Sequence, residues 1–383
     1  MAVAVRIARV DTWAINYPVT GRFKFFENTQ GRATGRPSIV IKLTADNGAI
    51  GWGQSVPTPR WSYETLESVL STIDRYLAPE LIGRELGDRP GLWAAMNRVV
   101  APGFSLGQPI CKAGVELALA DLEGRIAGRP AVETAGYAAS DRVELSWTLN
   151  PTSMDELEKS VAAAHERGYR HFNLKVSPDP AFDLELCRRL RPLAGSGHVW
   201  VDANGGYDEA AAVEIAPRLA DLGIAAFEQP LAANRLAGYR RLKRLAALPI
   251  LMDEGIITSV ELEEFAELGL LDGVAVKVAR SGGLAETGRI IDVLERHGLL
   301  FYASGLTDPD LSLAASLAIF AARGLAVPAA LNGPQYLTTS ILRQPIEVNA
   351  GVALVPRGPG LGVEVDEQKL HEHELLPEFY RLR

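Results

Sequence analysis

From residue 143 to about 331 the sequence repeats one rhythm: a short apolar run, a polar turn, an amphipathic stretch, and another apolar run. The apolar runs fall near 143–149, 169–175, 198–202, 224–228, 249–253, 273–278, 299–304 and 327–331. Helical periodicity fills the intervals. "SVELEEFAELG" (259–269) opens on a serine cap and stops at a glycine, as a surface helix does. Strands that alternate with helices imply a parallel sheet, and eight of them imply closure. The expected fold is therefore α/β, a (β/α) barrel of TIM type. The span to about 340 is compact for a complete barrel, so the last helix is expected to be short or irregular.

The flanks have a different texture. Residues 1–135 combine strand-like runs with helices, an α+β pattern. "SIVIKLTADNGAIGWGQ" (38–54) carries a DNG turn between two strands, and "ICKAGVELALADLEGRIAG" (110–128) reads as a helix ended by Gly128 and Pro130. From 345 the sequence is rich in strand formers, glycine and proline again and is expected to return to the first half. The expected organisation is an α+β capping domain (1–135), a barrel carrying the site (136–344) and a C-terminal segment (345–383) that completes the cap. A net charge of −8 argues against nucleic acid or an anionic membrane as the main partner. No apolar run reaches the roughly 18 residues of a membrane span. The start, "MAVAVRIARVDTW", lacks the apolar core of a signal peptide, and Cys111 and Cys187 form no recognisable disulfide or thiolate pattern. A cytoplasmic location is expected.

In barrels of this kind the carboxyl ends of the strands build the active site. The second strand, in "HFNLKVSPDP", ends on Lys175 and breaks at Pro178; the next four end on Asp202, Glu228, Asp253 and Lys277. The successive spacings are 27, 26, 25 and 24 residues, each about one strand–helix unit. Five consecutive strands thus carry a charged residue at one height. With strands roughly 4.8 Å apart, the three carboxylates converge, and like charges so placed call for a cation. Three oxygen ligands with open positions suit Mg²⁺, with Mn²⁺ as a substitute; zinc is less suited without histidine or cysteine. Lys175 and Lys277, half a ring apart, face each other across the ion. A dication and a second ammonium each lower a lysine pKa, so either amine can move a proton. A carboxylate held on the metal would lose its α-proton to give an enediolate.

The same residues carry a resemblance. "DANGGYD", "EQPL", "MDEG", "VKVARSGGL" and "PGLGVEVD" (359–366) resemble motifs of the enolase superfamily, in its muconate-lactonizing subgroup within the mandelate racemase/muconate lactonizing enzyme family. The resemblance implies a metal on Asp202, Glu228 and Asp253, with Lys175 and Lys277 as the acid/base pair. It also implies a homo-oligomer. Two departures stand out. Gly255 replaces the usual serine after Asp253-Glu254. The subgroup's Lys-x-Lys on the second strand reads Asn173-Leu174-Lys175, so a neutral amide replaces a cation near the substrate. The mandelate-racemase-like subgroup uses a histidine on the seventh strand, and "YASGLTDPD" has none. The six histidines fall elsewhere, with His171 and His198 expected at the barrel bottom.

Substrate contacts are expected from Asn173, Asn204, Glu254, Asp308 and Asn332, with Asp310 as a helix cap or a further contact. Glu254 is also placed to hydrogen-bond Lys277. The Gly-rich, basic and aromatic stretch 21–36 is a candidate lid, its arginines and Lys24 meeting a second anionic or polar end of the substrate; Arg60 and Trp61 join the same lid. The expected reaction is metal-dependent abstraction of the proton α to a carboxylate of a small acid. Racemisation, epimerisation or cycloisomerisation follows from two opposed lysines, and dehydration of a hydroxy or sugar acid uses the same groups. A non-catalytic binding barrel is the reading from another class.

Overall fold

A computed structural model describes residues 4–27, 34–103, 105–176 and 179–375. Pro178 and residues 28–33 of the expected lid, Arg32 included, lie outside them. Strands β1 (Ile7–Tyr17), β2 (Arg36–Ala45) and β3 (Ile50–Ser55) form an antiparallel sheet in that order. The DNG turn closes the second hairpin, with Gly48 at φ +84° and its N–H on the Ala45 carbonyl at 3.0 Å. Helix Pro109–Ala127 lies across β3. The glycines at 51 and 53 explain how close it comes. A Cβ on Gly53 would stand 2.0 Å from the Gly114 carbonyl oxygen, so a larger residue would push the helix away.

The second sheet is parallel and runs β5 (Trp147–Leu149), β6 (Phe172–Lys175), β7 (Val199–Asp202), β8 (Phe227–Glu228), β9 (Ile250–Met252), β10 (Gly273–Val276) and β11 (Leu300–Ala303), paired in sequence order. Its strands are apolar on both faces because helices cover the outside and side chains fill the inside. Trp200, Ala226, Leu251, Tyr302 and Ala330 form an interior cluster. The expected strand at 327–331 is reduced to two parallel bridges, Leu145 with Ala329 and Ser304 with Ala330. These join the β11 edge to the β5 edge. Helix Ser259–Glu267 is capped by Thr258, not Ser259, because Thr258 makes the reciprocal capping box with Glu261.

The first expected barrel run splits in two. β4 (Arg142–Glu144) leaves the parallel sheet and pairs with a tail hairpin, β12 (Val348–Asn349) and β13 (Val352–Leu354). Beyond the hairpin the tail contacts the first half. Buried Asp121 accepts the Trp52 and Leu361 N–H groups at 2.8 and 2.7 Å, tying sheet, helix and tail together. Buried Glu116 accepts the Leu284 N–H at 2.8 Å and fastens the same helix to the parallel sheet's surroundings. Among the described residues no helix is long and apolar enough to cross a membrane.

Candidate active site

Register alone brings the charged strand ends together. Lys175 on β6 pairs with Asp202 on β7, and Asp202 with Glu228 on β8. Asp253 lies just past β9, whose Leu251 pairs with Glu228. Asp202, Glu228 and Asp253 are all buried and offer oxygens within 4.8 Å of one another. Burial and the charges of Asp202 and Asp253 push the Glu228 carboxyl well above its ordinary range. Burial also works against ionised Asp202, but Lys175 and Lys24 outweigh it and hold that carboxyl low. Asp253 Oδ2 is buried with no protein partner. Three crowded carboxylates with an unsatisfied oxygen fit a hard divalent ion.

The two lysines flank this group. Lys175 donates to Asp202, and Lys277, which is 4% exposed, donates to Asp253. Both line one cavity of about 30 Å³ with Thr58, Trp61, Thr148, Asn173, Asn204 and Asn332. Phe23, Phe25 and Phe26 roof it. The lowered lysine pKa expected beside a dication does not come from the protein's own groups. Burial disfavours the Lys175 ammonium, yet Asp202, Glu228 and Asp253 outweigh burial and raise its pKa. An open groove of about 620 Å³ lies at the other end of the strands, among Arg142, His171, Arg191 and His198. It is larger, but it holds none of the strand-end carboxylates, so the chemistry belongs to the smaller cavity.

Several positioning groups were not legible as such. Trp200, two residues before Asp202, points into the sheet's interior and donates its indole N–H to Glu228 Oε2 at 2.8 Å. Gln229, in the EQPL motif, buckles β8 to the β9 end. Its Oε1 accepts the Asp253 N–H at 2.7 Å and its Nε2 donates to the Leu231 carbonyl at 2.8 Å, with a strained φ of +39°. Arg280, 2% exposed, grips Asp253 through its side chain and carbonyl, and both Arg280 and Lys277 stand over the Trp61 ring. Gly255 has a partner in Met252: a Cβ there would lie 2.3 Å from the Met252 methyl. The methionine fills the space a serine would occupy. Arg280 sits inside a quoted motif; Trp200 gave no signal beyond its place on an inward-facing strand position.

The expected substrate contacts divide. Asn173, Asn204 and Asn332 line the cavity. Glu254 does not hydrogen-bond Lys277; it accepts from Asn204 Nδ2 at 3.1 Å, and burial together with Asp253 and Asp202 pushes it up to about 8. Asp308 lies behind the wall, where its carboxylate accepts from the Leu306 N–H and Ser316 Oγ, both at 3.1 Å. Asp310 ties β1 and Ile341 to the helix after β11, accepting from Tyr17 OH at 2.8 Å and the Ile341 N–H at 2.9 Å. The lid arginines turn elsewhere: Arg22 pairs with Glu27, and Arg36 is fully buried on the Val56 and Pro57 carbonyls. Arg60 reaches the Glu27 carbonyl, so Trp61 alone of that pair enters the cavity. Burial and Lys175 lower the Lys24 pKa, while Asp202 and Glu254 oppose them.

Two family models match the chain: "Enolase C-terminal domain-like" over residues 156–369 and "Mandelate racemase / muconate lactonizing enzyme, N-terminal domain" over 22–136. The chain belongs to the enolase superfamily. Within the superfamily it falls in the muconate-lactonizing subgroup. It is 31% identical to muconate cycloisomerase 1 of Pseudomonas putida, over 87% of this chain and 89% of that protein. It is 28% identical to muconate cycloisomerase 1 of Rhodococcus opacus, over 94% and 96%. The structure of muconate lactonizing enzyme from Pseudomonas fluorescens complexed with muconolactone superposes with a TM-score of 0.88 at 28% identity, covering 97% of this chain and all of that one.

Proposed function

We propose that this chain is a Mg²⁺-dependent isomerase that removes the proton α to the carboxylate of a small acid. Asp202, Glu228 and Asp253 would hold the ion, with Mn²⁺ as a working substitute. The carrying observation is the pair of lysines on opposite flanks of one buried carboxylate trio, with both lysines and Asp253 lining a single cavity. The ion, when bound, supplies a Lewis acid for the substrate carboxylate and for the charge that develops on it as the α-proton leaves. Lys175 Nζ or Lys277 Nζ takes that proton, and the opposite amine returns one. Return to the other face inverts the carbon. When the electron pair left by the α-proton instead expels a β ring oxygen as a carboxylate, or in reverse a carboxylate oxygen adds to a C=C bond and a lysine protonates the α-carbon, the outcome is cycloisomerisation, the reaction in the relatives' names. Phe23, Phe25 and Phe26 exclude water from the site, which strengthens each electrostatic contact within it.

The parallel bridges at Ala329 and Ala330 support reading the sheet as a closed eight-stranded barrel. The Asp121 contacts to Trp52 and Leu361 support a cap of residues 1–135 completed by the tail from 345. Two buried free thiols suit the reducing cytoplasm. The function is tested by incubating the Mg²⁺ protein with a library of carboxylic acids in D₂O and following α-deuteration, elimination and ring formation by mass spectrometry. Exchange that needs the metal and vanishes in Lys175→Met or Lys277→Met is expected. Silence on every amino, hydroxy and unsaturated acid, or activity indifferent to both lysines, refutes the proposal.

A further inference from the structure

Resting on that function, we propose that the acid this site accepts carries a hydrogen-bond donor, the N–H or O–H of an amide or hydroxyl group, which Asn332 reads. Thr148 on β5 lies beside Asn173 on β6 in register, and Asn332 follows the Ala329–Ala330 segment that bridges to Leu145 and Ser304. Three adjacent chain segments therefore present neutral polar side chains to the cavity. All three residues are buried, at 1%, 2% and 6% exposure.

The wall is fixed. Thr148 gives its N–H to Gln335 Oε1 at 2.9 Å, and its carbonyl accepts from Gln335 Nε2 at 2.8 Å. Asn332 Nδ2 donates to Thr148 Oγ1 at 3.2 Å and leaves Oδ1 as the free end. Asn332 Oδ1 and Asn173 Nδ2 are both buried without a protein partner. One is an acceptor and the other a donor, and buried polar groups of this kind call for partners.

That demand separates substrates. An ionised carboxylate only accepts, so it satisfies Asn173 Nδ2 and leaves Asn332 Oδ1 unpaired. Muconate is a diacid with no N–H or O–H. A carboxamide supplies both halves, and a hydroxyl supplies the donor. The cations agree. Lys175 and Lys277 already face the carboxylate trio, Lys24 acts on Asp202 and Glu254, Arg22 and Arg36 turn away, and the rest of the described lining carries no cation. Among the described residues, a second carboxylate would find no cation of its own on this wall.

The test is isothermal titration of the Mg²⁺-loaded protein with chain-matched pairs: succinate and succinamate, glutarate and glutaramate, adipate and adipamate. At the chain length that fits, the half-amide is expected to bind at least tenfold more tightly, about 1.4 kcal/mol. In Asn332→Leu, which keeps the volume and removes the acceptor, that ratio should fall close to one. A diacid binding as tightly as its half-amide at every length overturns the inference, and so does a preference that survives Asn332→Leu. Should the variant not fold, the wild-type ratio decides alone. Binding of no member of any pair would instead sink the carboxylate-binding function, and this inference with it.

Discussion

Replacing Trp200 by phenylalanine isolates one interaction of the proposed metal site. The ring stays packed between His198 and Tyr302, whose centroids lie 5.6 and 5.5 Å away, but the indole N–H on Glu228 Oε2 is lost. A hydrogen bond to a charged group contributes about 1.5–3 kcal/mol, and outer partners of metal ligands typically change metal affinity by about 10–100-fold. Mg²⁺ dissociation should therefore weaken by about 10–100-fold in the variant. The sign of the pH effect follows from Glu228. Burial and its two acidic neighbours raise its pKa, so protons compete with the ion for this carboxylate, and losing the indole raises that pKa further. The affinity deficit should grow as pH falls. Titration of the metal by calorimetry at several pH values measures it directly, with turnover recovering at saturating Mg²⁺. An unchanged metal affinity accompanied only by a lower melting temperature would mean that Trp200 merely fills space.

Lys175→Met and Lys277→Met should each lower turnover at saturating metal by about 10²–10⁴-fold while circular dichroism stays native. Glu64, 1% exposed, caps helix Pro109–Ala127 through the Ile110 and Cys111 N–H groups, and burial lifts its pKa from 4.5 to about 7. A raised carboxyl pKa contributes stability below the unfolded value that is lost as pH rises through the folded one. Stability should fall by on the order of 3 kcal/mol between about pH 4.5 and 7, and Glu64→Gln should flatten that slope in urea titrations. Asp310→Ala leaves the buried donors of Tyr17 and Ile341 and the partly buried Ser340 hydroxyl without their acceptor and should destabilise the protein by about 2–4 kcal/mol, with Asp310→Asn milder in the same assay.

The charged strand ends were readable because a parallel sheet translates sequence spacing into height: one unit per strand places Lys175, Asp202, Glu228, Asp253 and Lys277 at one level. The same periodicity marked six of the eight runs outright. It failed at 327–331, where only two bridges form, and at 143–149, where Arg142–Glu144 turns to the tail. Arg142–Glu144 pairs with Val352–Leu354 and Ala329 bridges to Leu145, partners more than 180 residues away that no local pattern encodes.

Chemistry of the strand ends is local in this sense, since a residue's type and its count along the strand specify which side chains can meet. Direction beyond the strand end is not. Asp308 and Arg36 have the charge of substrate ligands, yet the first is consumed by Ser316 and Leu306 and the second by the Val56 and Pro57 carbonyls. Trp200 and Arg280 look like core and loop residues and instead hold proposed ligands. Which polar atoms remain unpaired in the cavity, Asn173 Nδ2 and Asn332 Oδ1 among them, is settled only once packing has assigned every other donor and acceptor. A buried hydrogen bond is decided by what surrounds it in space, and that list exists only in the folded chain.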